Sequence, residues 1–136
     1  MICSFAEMGG VVLRIFKNAW FYRFARREKI KDAVLKEAIA RAERGLIDAD
    51  LGGGVIKQRL ARPGQGRSGG YRSIIIFQKG ERAFFVYGFA KSDRENIDPD
   101  EGVAFKKSAK AFFALSDKQI EILIKDKELS EVDYEA

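Results

Sequence analysis

The chain has 136 residues, 46% of them apolar and 12% aromatic, which suits one domain with a hydrophobic core and is too apolar for a disordered polymer. It has no histidine, a single cysteine (Cys3) and no run of 18 apolar residues. These absences exclude Ser-His-Asp and Cys-His nucleophile systems, ordinary His-ligated metal sites, an internal disulfide and a membrane-spanning helix. The formal charge of +5 is unevenly placed: Arg14 to Arg94 carry 19 Lys or Arg against 8 Asp or Glu, whereas Glu95 to Ala136 carry 6 against 11.

In chain order, the start MICSFAEMGG lacks a positive n-region and carries Glu7, so it does not read as a signal peptide; residues 1–12 are read as an N-terminal extension. The lone cysteine points to a reducing compartment, and the expected location is cytoplasmic, with no membrane partner. Val11 to Phe16 is a β-branched and apolar run that predicts a first strand. Asn18 is placed to cap a helix in which Trp20 and Phe24 fall four apart on one face. A second helix is expected from the spacing of Val34, Leu35, Ala38, Ile39 and Ala42, with Gly45 at its C-terminal cap.

Gly52-Gly53-Gly54 breaks the chain, and Val55 to Leu60 then alternates as a strand with Lys57 and Arg59 on one side. The segment Arg62 to Gly70, RPGQGRSGG, reads as a loop. Tyr71 to Phe77 and Ala83 to Ala90 are strong strand patterns, and Lys79-Gly80-Glu81 makes them a hairpin. Asp98-Pro99-Asp100-Glu101 signals a helix start, with Ala104, Ala111, Phe112 and Leu115 as its expected buried stripe. Ser116 to Gln119 opens a last helix with Ile120, Leu123 and Ile124 on one face. The acidic residues after Leu129 are expected to fray. Both caps are read as structural, and residues 130–136 as an acidic tail.

The chemistry concentrates on the middle strands. Leu51 to Arg72 holds Lys57, Arg59, Arg62, Arg67 and Arg72 with no acid among them. A block of this kind points to a polyanionic partner, the alternative being a solvated strand face. Lys91 follows the last strand, in phase with Phe85, Tyr87 and Phe89 at a spacing of two, so one sheet surface is expected to join cations with aromatic rings. Aromatics at alternate positions also serve as core, and both readings stay open for Phe85, Tyr87 and Phe89. As an exposed set the group suits single-stranded RNA, whose phosphates are held by cations and whose unpaired bases stack on rings. It also suits attack of a ribose 2′-OH on the adjacent phosphorus without imidazole, because guanidinium groups can stabilise the phosphorane. A lysine amid clustered positive charge is a conceivable base. The glycine-rich loop lacks the order of a P-loop, and Gly64-Gln65-Gly66 is not followed by a helix, so neither nucleotide-binding fingerprint fits.

The run IKQRLARPGQGRSGGYR (Ile56 to Arg72), followed by FFVYGFAKSDREN (Phe84 to Asn96), resembles the RelE superfamily of type II toxin–antitoxin systems, most closely its HigB-like branch. The resemblance covers residues 13–129, read as a single domain. It implies an α+β fold, a compact domain with a twisted, mostly antiparallel sheet packed against two N-terminal helices, here with additional C-terminal helices. It implies a ribosome-dependent endoribonuclease that cuts mRNA by 2′-OH attack with no metal and no cofactor. By position, Lys57, Arg59, Arg72 and Lys91 match the catalytic cations, Arg72 as the transition-state arginine. Arg62 and Arg67 match RNA-backbone contacts, and Phe89 falls where a base-stacking aromatic would sit. The general base stays open, Tyr87 being one candidate. The implied partners are the ribosome, mRNA and a cognate antitoxin, often a helix-turn-helix DNA-binding protein. A gyrase inhibitor similar to ParE and a non-catalytic RNA-binding module are the alternatives.

Overall fold

The computed structural model describes residues 13–62 and 66–132, with side chains outside 62–69. Ten elements follow in chain order: β1 (Arg14–Asn18), α1 (Ala19–Glu28), α2 (Asp32–Glu43), β2 (Ala49–Gly52), β3 (Val55–Arg62), β4 (Gly66–Gln78), β5 (Arg82–Ala90), α3 (Pro99–Phe113), α4 (Asp117–Lys125) and β6 (Leu129–Glu131). The strands form one mixed sheet in the order β2-β3-β4-β5-β1-β6. Its neighbours are antiparallel except β1 and β5, which run parallel. The architecture is α+β, consistent with the fold expected from the sequence.

Each side of the sheet carries its own core. On one side α1 and α2 bury Phe21, Phe24, Leu35, Ala38, Ile39 and Ala42 against Ile56, Leu60, Tyr71, Ile75 and Phe85. The Asn18 side chain accepts the Phe21 N–H at 2.7 Å, capping α1 as its type predicts, and Gly45 takes φ +85 just past α2. On the other side α3 and α4 cover Phe16, Val55, Ile74, Ile76, Phe84 and Val86. Full burial of each such side chain contributes about 1.5–3 kcal/mol, so neither pair of helices is an appendage.

The sequence reading needs four corrections. The glycine-rich segment expected to be a loop is strand from Gly66 onward, extending the β3–β4 pair to Arg62↔Gly66 across a register shift. Its glycines break the side-chain pattern, and the ladder steps from Leu60↔Tyr71 to Arg62↔Gly66. Leu129–Glu131 does not fray: it pairs with β1, and Leu129 and Val132 are buried. On α3, Ala104 and Ala111 are exposed, while Ala109 is fully buried and Phe105, Phe112 and Phe113 pack partly. The phenylalanines bring more apolar area than the alanines and set which stripe faces the sheet. The fourth correction concerns β5. Ile75 pairs with Phe85 but Ile74 pairs with Tyr87, so one extra residue is inserted at Val86. Phe85 therefore packs on Phe21 (ring centroids 5.1 Å apart) under the N-terminal helices, while Tyr87 faces the other side.

Candidate nucleic-acid interface

Register places the expected cations in adjacent rows. One row across β3, β4 and β5 is Lys57–Ile74–Tyr87, and the next is Arg59–Arg72–Phe89. Residues in one row share a face, and rows two residues apart lie roughly 7 Å along the strand. This is the face covered further along by α3 and α4; the cation rows begin where that cover ends. The backs of the same strands carry Gln58, Ser73 and Gly88, all buried. A Cβ on Gly88 would stand 2.7 Å from Phe24 Cε2 and 3.1 Å from Phe21 Cε2, so only glycine lets α1 lie this close.

Arg59 is held from the edge of the sheet. Asp48 accepts the Arg59 backbone N–H at 2.7 Å and pairs with its Nε at 3.5 Å. The buried Arg41 donates to the Arg59 carbonyl at 2.7 Å and to Glu37 at 2.8 Å. Gln58, fully buried, accepts the Asp48 N–H at 2.7 Å and donates to the carbonyls of Ala38 and Leu46. The polar core thus fixes the loop before β2, and that loop fixes Arg59.

Arg72 is partly buried directly beside Arg59. Burial first, and then the Arg59 charge, push its guanidinium below the ordinary value, with Asp48 pulling the other way. A desolvated cation next to a like charge is one whose environment improves when an anion arrives. Lys57, half-buried, donates to Asn96 Oδ1 at 3.1 Å. Lys91 is exposed just past β5, its backbone N–H donating to the Gly70 carbonyl at 3.2 Å; its ammonium has no partner among the described residues. The side chains of Arg62 and Arg67 lie outside the described residues.

Phe89 is 4% exposed, and the Arg94 guanidinium lies over it, 5.5 Å from the ring centroid. The ring therefore lacks the open face that base stacking needs. Arg94 was not singled out in the sequence, although Tyr87, Phe89 and the Asp98–Glu101 helix start were, each in another role. Its Nε donates to the Asn96 carbonyl at 2.9 Å, NH1 to the Tyr87 hydroxyl at 2.9 Å and Glu101 at 3.2 Å, and NH2 to Glu101 at 2.6 Å. Glu101 also accepts the Asp98 N–H at 2.7 Å, so the capping carboxylate that starts α3 is shared with the site. Hydrogen bonding to Glu101 raises the Arg94 pKa against partial burial, and Arg94, then the Asp98 N–H, lowers that of Glu101. Only the acid at the third helical position was legible in sequence; nothing there showed that it reaches back to Arg94. Tyr87 stands at the junction, 4.6 Å from Trp20, 5.8 Å from Phe105 and 6.2 Å from Phe89 between ring centroids.

The arrangement can grip a phosphate between Arg59 and Arg72, with Lys57 and the Tyr87 hydroxyl one row away for proton transfer. A sequence model of one protein family, described as the RelE toxin of the RelE/RelB toxin–antitoxin system, matches residues 13–132. No curated protein matches the chain.

Proposed function

The chain belongs to the RelE toxin family of toxin–antitoxin systems, and from that premise we propose that it is an mRNA endoribonuclease acting on the ribosome, of the HigB-like branch. The observation that carries this reading is the Arg59–Arg72 pair, side by side at the open end of a sheet face and backed by Lys57. In the proposed reaction the ribose 2′-oxygen attacks the adjacent phosphorus, the bond to the 5′-oxygen breaks, and a cyclic phosphate and a 5′-hydroxyl result. Arg72 and Arg59 stabilise the charge that accumulates on the phosphorane. The 2′-proton passes to one titratable group of the neighbouring row, Lys57 or Tyr87 in its deprotonated form, the other supplies the proton taken up by the leaving 5′-oxygen, and Lys91 holds the flanking backbone. Arg62 and Arg67 serve as contacts to the RNA backbone in this reading. Residues 13–129 form the toxin domain in this reading. The partner that restrains it is a cognate antitoxin, a helix-turn-helix DNA-binding protein whose acidic segment covers the arginines, and the complex is cytoplasmic.

The test is induced expression in a bacterial host with mRNA 5′ ends mapped against an Arg72→Ala control. Growth arrest with new ends inside translated codons, absent in the control, is the expected result. Arrest without new ends would overturn the nuclease reading in favour of a gyrase-type target, and folded protein that causes no arrest would remove the toxin activity altogether.

A further inference from the structure

Arg94 differs from the other arginines of the site in what it has left to offer. Four of its five N–H groups donate to Asn96, Tyr87 and Glu101, and the Asp98 carboxylate stands 3.9 Å from NH2. A guanidinium grips phosphate in bidentate fashion through its in-plane edge, and here that edge is taken. Its charge is also offset by Glu101 at 2.6 Å. What remains is the flat face. Its Cζ lies over the Phe89 ring at 5.5 Å and over the Tyr87 ring at 5.9 Å from the centroids, and 29% of the side chain stays exposed. A planar cation held rigidly by its edge and backed by aromatic rings is a stacking surface for an unpaired base.

Its position suits that use. Phe89 pairs with Arg72 in register, so a plane covering Phe89 borders the phosphate-gripping arginines. Asn96 ties Arg94 to Lys57, accepting from Arg94 through its carbonyl and from Lys57 through its side chain. The rival aromatic is Trp20, which is 36% exposed but already stacks on Phe24 at 5.3 Å and meets Tyr87 at 4.6 Å.

We propose that Arg94 is the nucleobase platform of this site: the base flanking the phosphate held by Arg59 and Arg72 stacks on its outer face, the role that sequence position assigns to Phe89. The inference rests on the RNA-cleaving reading only for the ligand class, a single-stranded nucleic acid.

The probe is a short 2′-deoxy oligonucleotide carrying 2-aminopurine, whose fluorescence falls when the base stacks and which lacks the 2′-hydroxyl needed for cutting. With the full chain, binding quenches the probe. Arg94→Lys keeps the charge and removes the plane, so the quench disappears and affinity falls roughly 5–100-fold, the range of one lost base stack. The slope of log affinity against log salt stays unchanged, because the number of cations is unchanged. Trp20→Leu retains the quench. Glu101→Gln keeps the guanidinium but loosens its clamp; it reduces the quench, and it carries the test if Arg94→Lys fails to fold, as judged by its thermal melt.

A quench that survives Arg94→Lys, one abolished by Trp20→Leu, binding without quenching, or no binding at all would each overturn the proposal. An Arg94-dependent quench in a protein that cuts no translated mRNA upholds the platform and sinks the nuclease reading. Arg72-dependent cutting with a quench indifferent to Arg94 does the reverse.

Discussion

Replacing Gly54 with alanine tests how the C-terminal helices are locked over the sheet. Gly52, Gly53 and Gly54 all have left-handed backbones, with φ of +87, +64 and +86. An L-residue in that conformation costs about 1–2 kcal/mol, offset by about 0.4–1 kcal/mol through loss of unfolded-chain entropy. At Gly52 a Cβ would meet nothing closer than Lys106 Nζ at 3.7 Å, an ordinary contact. Gly52→Ala therefore reads the backbone alone, about 1 kcal/mol. At Gly54 the same atom would stand 2.4 Å from Phe113 Cε2 and 2.5 Å from its Cζ. The ring sits in the notch that the glycine leaves, and forcing it out adds an overpacking penalty of about 1–3 kcal/mol. Gly54→Ala is thus expected to destabilise by about 2–4 kcal/mol. Urea denaturation of the two variants measures the difference, and Phe113→Ala closes a double-mutant cycle. Once the ring is gone the alanine fits, so the double variant is more stable than the sum of its parts predicts, with a coupling of about 1–3 kcal/mol. Equal losses at Gly52 and Gly54, or strict additivity with Phe113→Ala, would refute the notch.

Two further predictions concern the supports of the site. The Glu101 pKa is lowered in the folded state by Arg94 and by the Asp98 N–H, so its contribution is present above its ordinary value of 4.5 and is lost as pH falls through the lower folded value. Glu101→Gln should abolish that part of the acid sensitivity, which thermal melts across the acid range measure; an unchanged pH profile would contradict the pairing. Gln58→Leu removes one acceptor and two donor contacts from a fully buried position, leaving the Asp48 N–H without its side-chain acceptor. A loss of roughly 2–3 kcal/mol is expected in urea unfolding, and a loss under about 0.5 kcal/mol would mean the loop is held by other means.

What the sequence revealed followed from local rules. Asn18, Pro99 and Ser116 announce helix starts because capping is decided within four residues, and the β4–β5 hairpin is announced by Lys79-Gly80-Glu81. The strand positions of Lys57, Arg59 and Arg72 were legible for the same reason, since alternation alone puts Lys57 and Arg59 on one face. Phase was lost wherever it depended on a neighbouring strand. The extra residue at Val86 is a normal strand residue by type, yet it sends Phe85 to one core and Tyr87 to the other side. Phe89 looked like a platform because its cover, Arg94, comes from a turn whose shape is fixed by Glu101 seven residues later. β6 escaped notice because three residues at an acidic chain end carry no periodicity, and only pairing with β1 makes them a strand.

The shared face of the sheet explains why the acidic C-terminal third belongs to a cationic protein. A sheet face must be covered or wetted along its length. From Val55, Ile76 and Phe84 to Ile74 it is apolar and lies under α3 and α4; one row on, it carries Arg59 and Arg72. The boundary falls at Tyr87, whose ring packs towards Phe105 and whose hydroxyl accepts from Arg94. The start of α3 reaches that boundary with Asp98 and Glu101, and they engage Arg94. The helices therefore cannot be removed to open the site, because removing them strips Phe84, Ile76 and Val55 of their cover. In the reading proposed above, a partner that blocks Arg59 and Arg72 would approach beyond Tyr87, where the cover given by α3 and α4 ends among the described residues.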